Sequence, residues 1–437
     1  SSGELYTPSV LVSTFVGGGG DSLWSNAANW SAGVPTAAED GSFKAKATIG
    51  ASVVVDTDVS VAQVKLGNDI ASVVITATNN SVLTLSGTGV GQPIQNNSKN
   101  EDFKLDLPIV LNSSDPLETI QINGGGTASI TFGENSVLTL TKNTKFTGTA
   151  NVANPRVLNM NGTLKGTGQF QIGNASKFTF GSTSDNSSFT GGFLMLGKNG
   201  IVNVNTVKGG TFLKSGVSIE TDAASTTGHT ITINTENVFK GDIVITDNPV
   251  SLAINANQSA VGQIIMGSGT LNLALDAAVT SLEFADNSAS LWKTGTLAIS
   301  GAADDIVSFG TTASGLTAAQ LSQVKMDGNS AKITSTGHIN KNQAPVAVAD
   351  TATVAEDSTS KINVIGNDTD AENETLSLTL VTAGNGGSVA VNADGLSVDY
   401  SPKANFNGTE VVTYTVSDGE NTDATGTLTV TVTPVND

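Results

Sequence analysis

Along residues 50–310, short runs of apolar side chains alternate with polar ones. Val53-Val54-Val55-Asp56, Val59-Ser60-Val61 and Ile231-Thr232-Ile233 repeat with a period of two, the period of a strand with one buried face. Gly-Asn, Asn-Asn, Asn-Gly and Gly-Gly pairs punctuate these runs. Asn and Gly tolerate the left-handed backbone that tight turns require. Asn-Ser-Val-Leu-Thr-Leu occurs at 80–85 and at 135–140, and Gly-Thr-Leu at 162–164, 269–271 and 295–297. Phrases that recur without a strict period predict irregular rungs of a solenoid, roughly 20–25 residues each. The expected fold is therefore all-β, a right-handed parallel β-helix. A set of β-sandwiches is the alternative, because strands at this spacing suit both. One helix is predicted: Thr317-Ala318-Ala319-Gln320 is a capping box, and Leu316, Leu321 and Val324 make its apolar stripe.

The pattern divides the chain into 1–20, 21–341 and 342–437. In the first part a β-prone run, Val10 to Val16, precedes four glycines, Gly17 to Gly20. Such a hinged strand covers the open end of its own domain, or is donated to a second copy in self-association. In the head, Trp24 and Trp30 are placed to seal the first rung, with a carbohydrate platform as the alternative. Residues 311–341 form its C-terminal cap, and Lys341 to Pro345 the linker.

Composition narrows the function classes. The 437-residue chain has a net charge of −19, with only 14% charged residues, 48 glycines and no cysteine. Residues 342–437 hold fourteen Asp and Glu against two Lys, a charge of −12. That balance excludes a nucleic-acid partner, whose phosphates need basic patches. It suits divalent cations, which take carboxylate and carbonyl oxygens. Without cysteine there is no disulfide framework and no thiolate metal site. No apolar run is long enough to span a bilayer, and Ser1 opens a polar segment, as expected of an exported protein already in its mature form.

Residues 342–437 contain Val-Ala-Glu-Asp-Ser, Asn-Asp-Thr-Asp-Ala-Glu, a long phrase from Tyr400 to Gly419 and a closing Thr-Pro-Val-Asn-Asp. This segment resembles the cadherin-like, Ig-type tandem repeats of large bacterial surface adhesins. Trp24 to Pro35, and the phrase from Phe309 to Gly337, resemble the two ends of autotransporter-like β-helix passenger domains. The resemblance implies an extracellular protein of the bacterial cell surface. Its role would be structural or adhesive: the N-terminal part of a long adhesin or filament with calcium-stiffened modules, acting on a host, surface or matrix glycan or protein. Asp21-Ser22-Leu23, Asp350-Thr351-Ala352 and Asp357-Ser358-Thr359 also resemble a short bacterial O-glycosylation motif.

Catalysis finds little support in the residues. The two histidines, His229 and His338, are far apart, and no serine triad phrase is present. Glu39/Asp40, Glu101/Asp102 and Asp304/Asp305 are adjacent pairs, which a strand points to opposite faces. Arg156 stands alone. The chain is expected not to be an enzyme; a carbohydrate-binding or polysaccharide-degrading β-helix is the alternative. Metal binding finds more. Asp368, Asp370, Glu372 and Glu374 alternate through a loop-like stretch that is not an EF-hand. The cadherin resemblance implies calcium here. It assigns Asp368, Asp370 and Asp418 to an upstream junction and Glu356 to a downstream one, with Glu372 beside the first and Asp437 in the following linker. Lys341-Asn342-Gln343 departs from that pattern, having no carboxylate.

Overall fold

The computed structural model describes residues 12–16, 21–35, 46–49, 52–66, 72–86, 92–112, 117–123, 127–148, 155–173, 176–181, 188–195, 200–204, 219–221, 228–237, 240–246, 249–384, 386–420 and 423–436. They fall into two compact units. One takes in residues 1–327 and 333–339, the other 328–332 and 340–437.

The first unit is a parallel β-solenoid. One face is an eleven-stranded sheet that starts at Val12–Phe15 and ends at Ile264–Met266. A second face runs in parallel register from Val53–Val55 through Arg156–Met160 and Val250–Ile254 to Val324–Met326. The third begins as five strands, Val59–Val61 to Thr163–Gly166. A full turn takes 26 residues from Ile94 to Ile120 to Phe146, and 21 from Ile243 to Ile264. Most of the recurring phrases mark equivalent positions, although Gly-Thr-Leu at 162–164 lies on a different face from the copies at 269–271 and 295–297. Leu83–Leu85 and Val137–Leu140 both flank Pro108–Leu111, and Thr270–Leu275 lies directly against Thr296–Ser300.

Period two explains the interior. Every second residue points inward, so Ile94, Ile120, Phe146 and Ile172 stack in one fully buried column. Each such side chain contributes about 1.5–3 kcal/mol on leaving water. Asparagines make corners as expected: Asn79 and Asn80 stand at φ 51° and 57°. At Gly166, with φ 103°, an added Cβ would lie 2.0 Å from the Leu140 carbonyl oxygen, so the turn closes only on glycine.

The ends are sealed by the chain itself. Val12–Phe15 pairs in parallel with Lys46–Ile49. Its other edge is closed by Asn29, Trp30 and Ser31: Val16 N donates to Asn29 O, Ser31 N donates to Thr14 O, and Phe15 bridges Trp30. In this chain the strand thus closes its own domain, the first of the two roles expected of it. Gly17 to Gly20 lie outside the described residues. Trp24 and Trp30 are buried, packed edge-on at 4.7 Å, with Phe15 5.0 Å from Trp30, so they cap the core rather than offer a sugar platform. At the far end the predicted helix is present over Ala318–Leu321. Thr317 and Gln320 close its capping box, and Gln320 Nε2 donates to Asn287 O and Ser290 O. Val307–Phe309 then pairs antiparallel with His338–Lys341, which ends the parallel stacking.

In the second unit, residues 350–433 form a sandwich. Its four-stranded sheet orders Asp350–Ala355, Ala424–Thr433, Gly408–Ser417 and Ser377–Thr382. Its three-stranded sheet orders Ser360–Asn363, Ser397–Pro402 and Gly387–Val391. Val354, Val364, Val398, Tyr400, Val412, Tyr414, Leu428 and Val430 fill the space between them.

Candidate cation site

The alternating acids of the second unit have different fates. Asp370, Glu372 and Glu374 converge: each offers an oxygen within 4.8 Å of the others. A tight loop gathers them. Asp370 Oδ1 accepts the amides of Glu372 at 2.9 Å and Glu374 at 3.1 Å, which folds the segment back on its own side chain. Gln343 donates its amide to Glu372 Oε2 at 3.2 Å.

Asp368 is not part of this group. The bridge between Val346 and Thr369 turns it the other way, where Oδ1 accepts from Val348 N at 2.7 Å and from the Tyr414 hydroxyl at 3.3 Å. Asp418 is nearly buried; Asn342 Nδ2 donates to its Oδ2 and Glu420 N to its Oδ1, both at 2.8 Å. Glu356 lies past the Ala355–Thr433 end of the sheet and accepts Val435 N at 2.8 Å. Asp418 lies past the other end, where Val416 pairs with Ala424. The ten residues from Ala424 to Thr433 put the two ends roughly 30 Å apart. Glu356 and Asp418 thus lie at opposite ends of the unit, and Asp368 lies apart from the group of Asp370, Glu372 and Glu374. Asp437 lies outside the described residues.

The donor set at the cluster fits a hard divalent cation, since it is all oxygen and largely carboxylate. Asp370 Oδ2, Glu374 Oε2 and Asn342 Oδ1 are buried and accept no hydrogen bond from any described residue. Bare buried acceptors are costly, and a cation would satisfy them. Sequence reasoning missed three neighbours: Asn342, Lys332 and Glu420. Asn342 stands where a carboxylate was missed in the linker. The other two carry no local signal.

A second acidic pair lies beside the Tyr414 hydroxyl. Burial raises the Asp350 pKa and the charge of Asp368 adds to the rise, while the hydrogen bonds from Tyr414 and Asn367 oppose it. A carboxyl with a raised folded-state pKa weakens the fold wherever it is ionised. That penalty is lifted as pH falls below the ordinary carboxylate range. Asp350→Asn should therefore raise the melting temperature of this unit near pH 7 and lose its advantage near pH 3. An equal shift at both pH values would refute the assignment.

In the solenoid, the charged groups singled out from the sequence fall in separate places. Arg156 and His229 are buried, and Gly200 N donates to His229 Nδ1. Glu101 accepts from Ser72, and Asp102 from Ser129 and Thr131, on opposite sides of their strand. Glu39 and Asp40 lie outside the described residues. A groove of about 510 Å³ does bring Lys240, Glu283, Ser308, Thr336 and His338 together.

The fold thus defines a class: a β-solenoid followed by an Ig-like sandwich with an acidic loop cluster. Residues 342–431 match the bacterial Ig domain family. No curated protein matches the chain. Among solved structures, a nucleoside hydrolase-related hypothetical protein from Saccharophagus degradans, associated with carbohydrate metabolism, is similar at 16% identity. That match takes in 21% of this chain and 26% of that one, at a TM-score of 0.18, and no argument rests on it. Among the described residues no helix is long and apolar enough to cross a membrane.

Proposed function

We propose that the chain is a structural, adhesive part of a bacterial surface or secreted protein. The solenoid serves as a rigid head, and the Ig unit as a spacer that takes up calcium at Asp370, Glu372 and Glu374. The observation that carries this reading is the cluster, three converging carboxylates of which two keep a buried oxygen without a donor. The burial of Arg156 and His229 supports a structural rather than a catalytic head. A second reading, a carbohydrate-binding or polysaccharide-degrading head, is favoured by the groove of Lys240, Glu283 and His338.

Melting the full chain tests both. All three tryptophans lie in the solenoid unit, while Tyr400 and Tyr414, two of the three tyrosines, lie in the Ig unit, so in a Tyr6→Phe background the two units report separately. Calcium sites of extracellular modules have a Kd of about 0.1–1 mM. About 10 mM calcium then adds about 1–3 kcal/mol to the tyrosine-reported transition. Asp370→Asn with Glu374→Gln should abolish the gain and leave the tryptophan signal unchanged. The same transition in calcium and in chelator would leave an acidic spacer that binds no metal. Oligosaccharide release from pectin or alginate, lost in Glu283→Gln, would put the second reading in place of the first.

A further inference from the structure

The cluster carries a cation of its own. Lys332 sits in the short segment 328–332 that belongs to the Ig unit. Its Nζ donates to Glu374 Oε1 and, at 3.0 Å, to Glu420 Oε1. The side chain is 24% exposed, and that of Glu374 is 20% exposed, so solvent screens this pair less than a surface pair. Other donors to these acids are neutral: the Gln343 amide on Glu372, and the loop amides on Asp370. Lys332 brings a full charge, and it brings it from a strand more than forty residues before Glu374 in the sequence.

We propose that Lys332 is the resident counter-ion of this carboxylate cluster. It ties the segment 328–332 of the Ig unit to that unit's loops at 370–374 and 418–420, and it competes with a divalent cation for Glu374. A lysine ammonium is a compact point charge with three donors, suited to bridging two carboxylates. Being tethered, it acts at a high effective concentration and never leaves by dilution. The base of the unit is thus held together without metal, and a divalent ion binds by displacing the ammonium. The competition rests on the calcium reading above; the counter-ion role does not.

The experiment uses the full chain with Lys332→Met, Glu374→Gln and the double variant, followed at the tyrosines. In chelator, Lys332→Met should lower the transition by about 4–8 °C. Adding Glu374→Gln should recover part of that loss, because it removes a charge left without its partner, whereas Glu374→Gln alone should be destabilising. Purely additive shifts would overturn the counter-ion assignment. In calorimetric calcium titrations, Lys332→Met should bind at least about tenfold tighter than the unaltered chain. Equal affinities would overturn the competition and leave the calcium reading standing. Coupling in the cycle with no calcium uptake by either protein would keep the counter-ion and remove the calcium reading.

Discussion

Gly426→Val is expected to unfold the Ig unit while the solenoid keeps its own transition. Gly426 is buried in the strand Ala424–Thr433 and pairs directly with Tyr414 on Gly408–Ser417. A Cβ at this position would fall 2.1 Å from Tyr414 Cζ and 2.5 Å from its hydroxyl oxygen. The backbone conformation at Gly426 is ordinary, so the requirement is for space alone.

The ring has little freedom to move aside. Tyr414 is 1% exposed, and its hydroxyl oxygen lies 2.9 Å from Val348 O, 3.0 Å from Asp350 Oδ2 and 3.3 Å from Asp368 Oδ1, acceptors that share its one proton. Overpacking a core costs about 1–3 kcal/mol, and losing the hydrogen bond of the Tyr414 hydroxyl adds about 0.5–1.5 kcal/mol. Against the roughly 5–15 kcal/mol that holds a domain together, such losses are decisive. Near-UV circular dichroism at the tyrosines should lose its native signal, while tryptophan fluorescence of the solenoid is unchanged. Tyr414→Ala in the same chain should partly restore folding by vacating the space. A Gly426→Val protein with unaltered melting would show that the strands separate more easily than their register implies.

The same residues show what the sequence could and could not disclose. Alternation along Val53–Val55 or His229–Ile233 is legible because burial acts on every second residue of a strand, and those residues are adjacent in the chain. The Asn-Gly corners and the Thr317–Gln320 box are equally local. The cluster is only half legible. Asp368 and Asp370 read alike, yet the bridge from Thr369 to Val346 points one carboxyl at Tyr414 and the other into the loop. That bridge depends on a partner 23 residues away. Lys332 is less legible still, because its acceptors lie 42 and 88 residues further on and nothing in the intervening spacing marks them. Rung length varies from 17 residues between Ala47 and Val64 to 30 between Val64 and Ile94 for a related reason. Inward-facing positions are constrained by packing, whereas loops between rungs lengthen at little cost.

Phe178→Ala should produce the largest loss in the solenoid, and the loss should stay local. Phe178 is fully buried within a knot of rings. It stacks on Phe170 at 4.6 Å and meets Phe180 edge-on at 4.5 Å, with Phe193 6.0 Å away. Phe180 and Phe189 in turn approach Phe193 at 5.8 and 5.4 Å. Phe170 and Phe193 face each other on paired strands of one sheet, while Phe178 and Phe180 share the strand Ser176–Phe180 of another, so this one ring couples two faces of the solenoid. Truncation removes the transfer free energy and leaves a cavity that neighbouring rings, fixed on separate strands, close poorly. Such changes cost about 3–5 kcal/mol. In a solenoid, each turn is stabilised mainly by the turns on either side of it, so damage spreads only to neighbours. Amide exchange should therefore accelerate across Arg156–Met160, Phe170–Ile172, Ser176–Phe180 and Phe193–Met195. Val250–Ile254 and Thr296–Ser300, several turns away, should remain protected. Uniform loss of protection from Val53 to Met326 would mean the stack folds as one cooperative block, and the nearest-neighbour account of its stability would have to be abandoned.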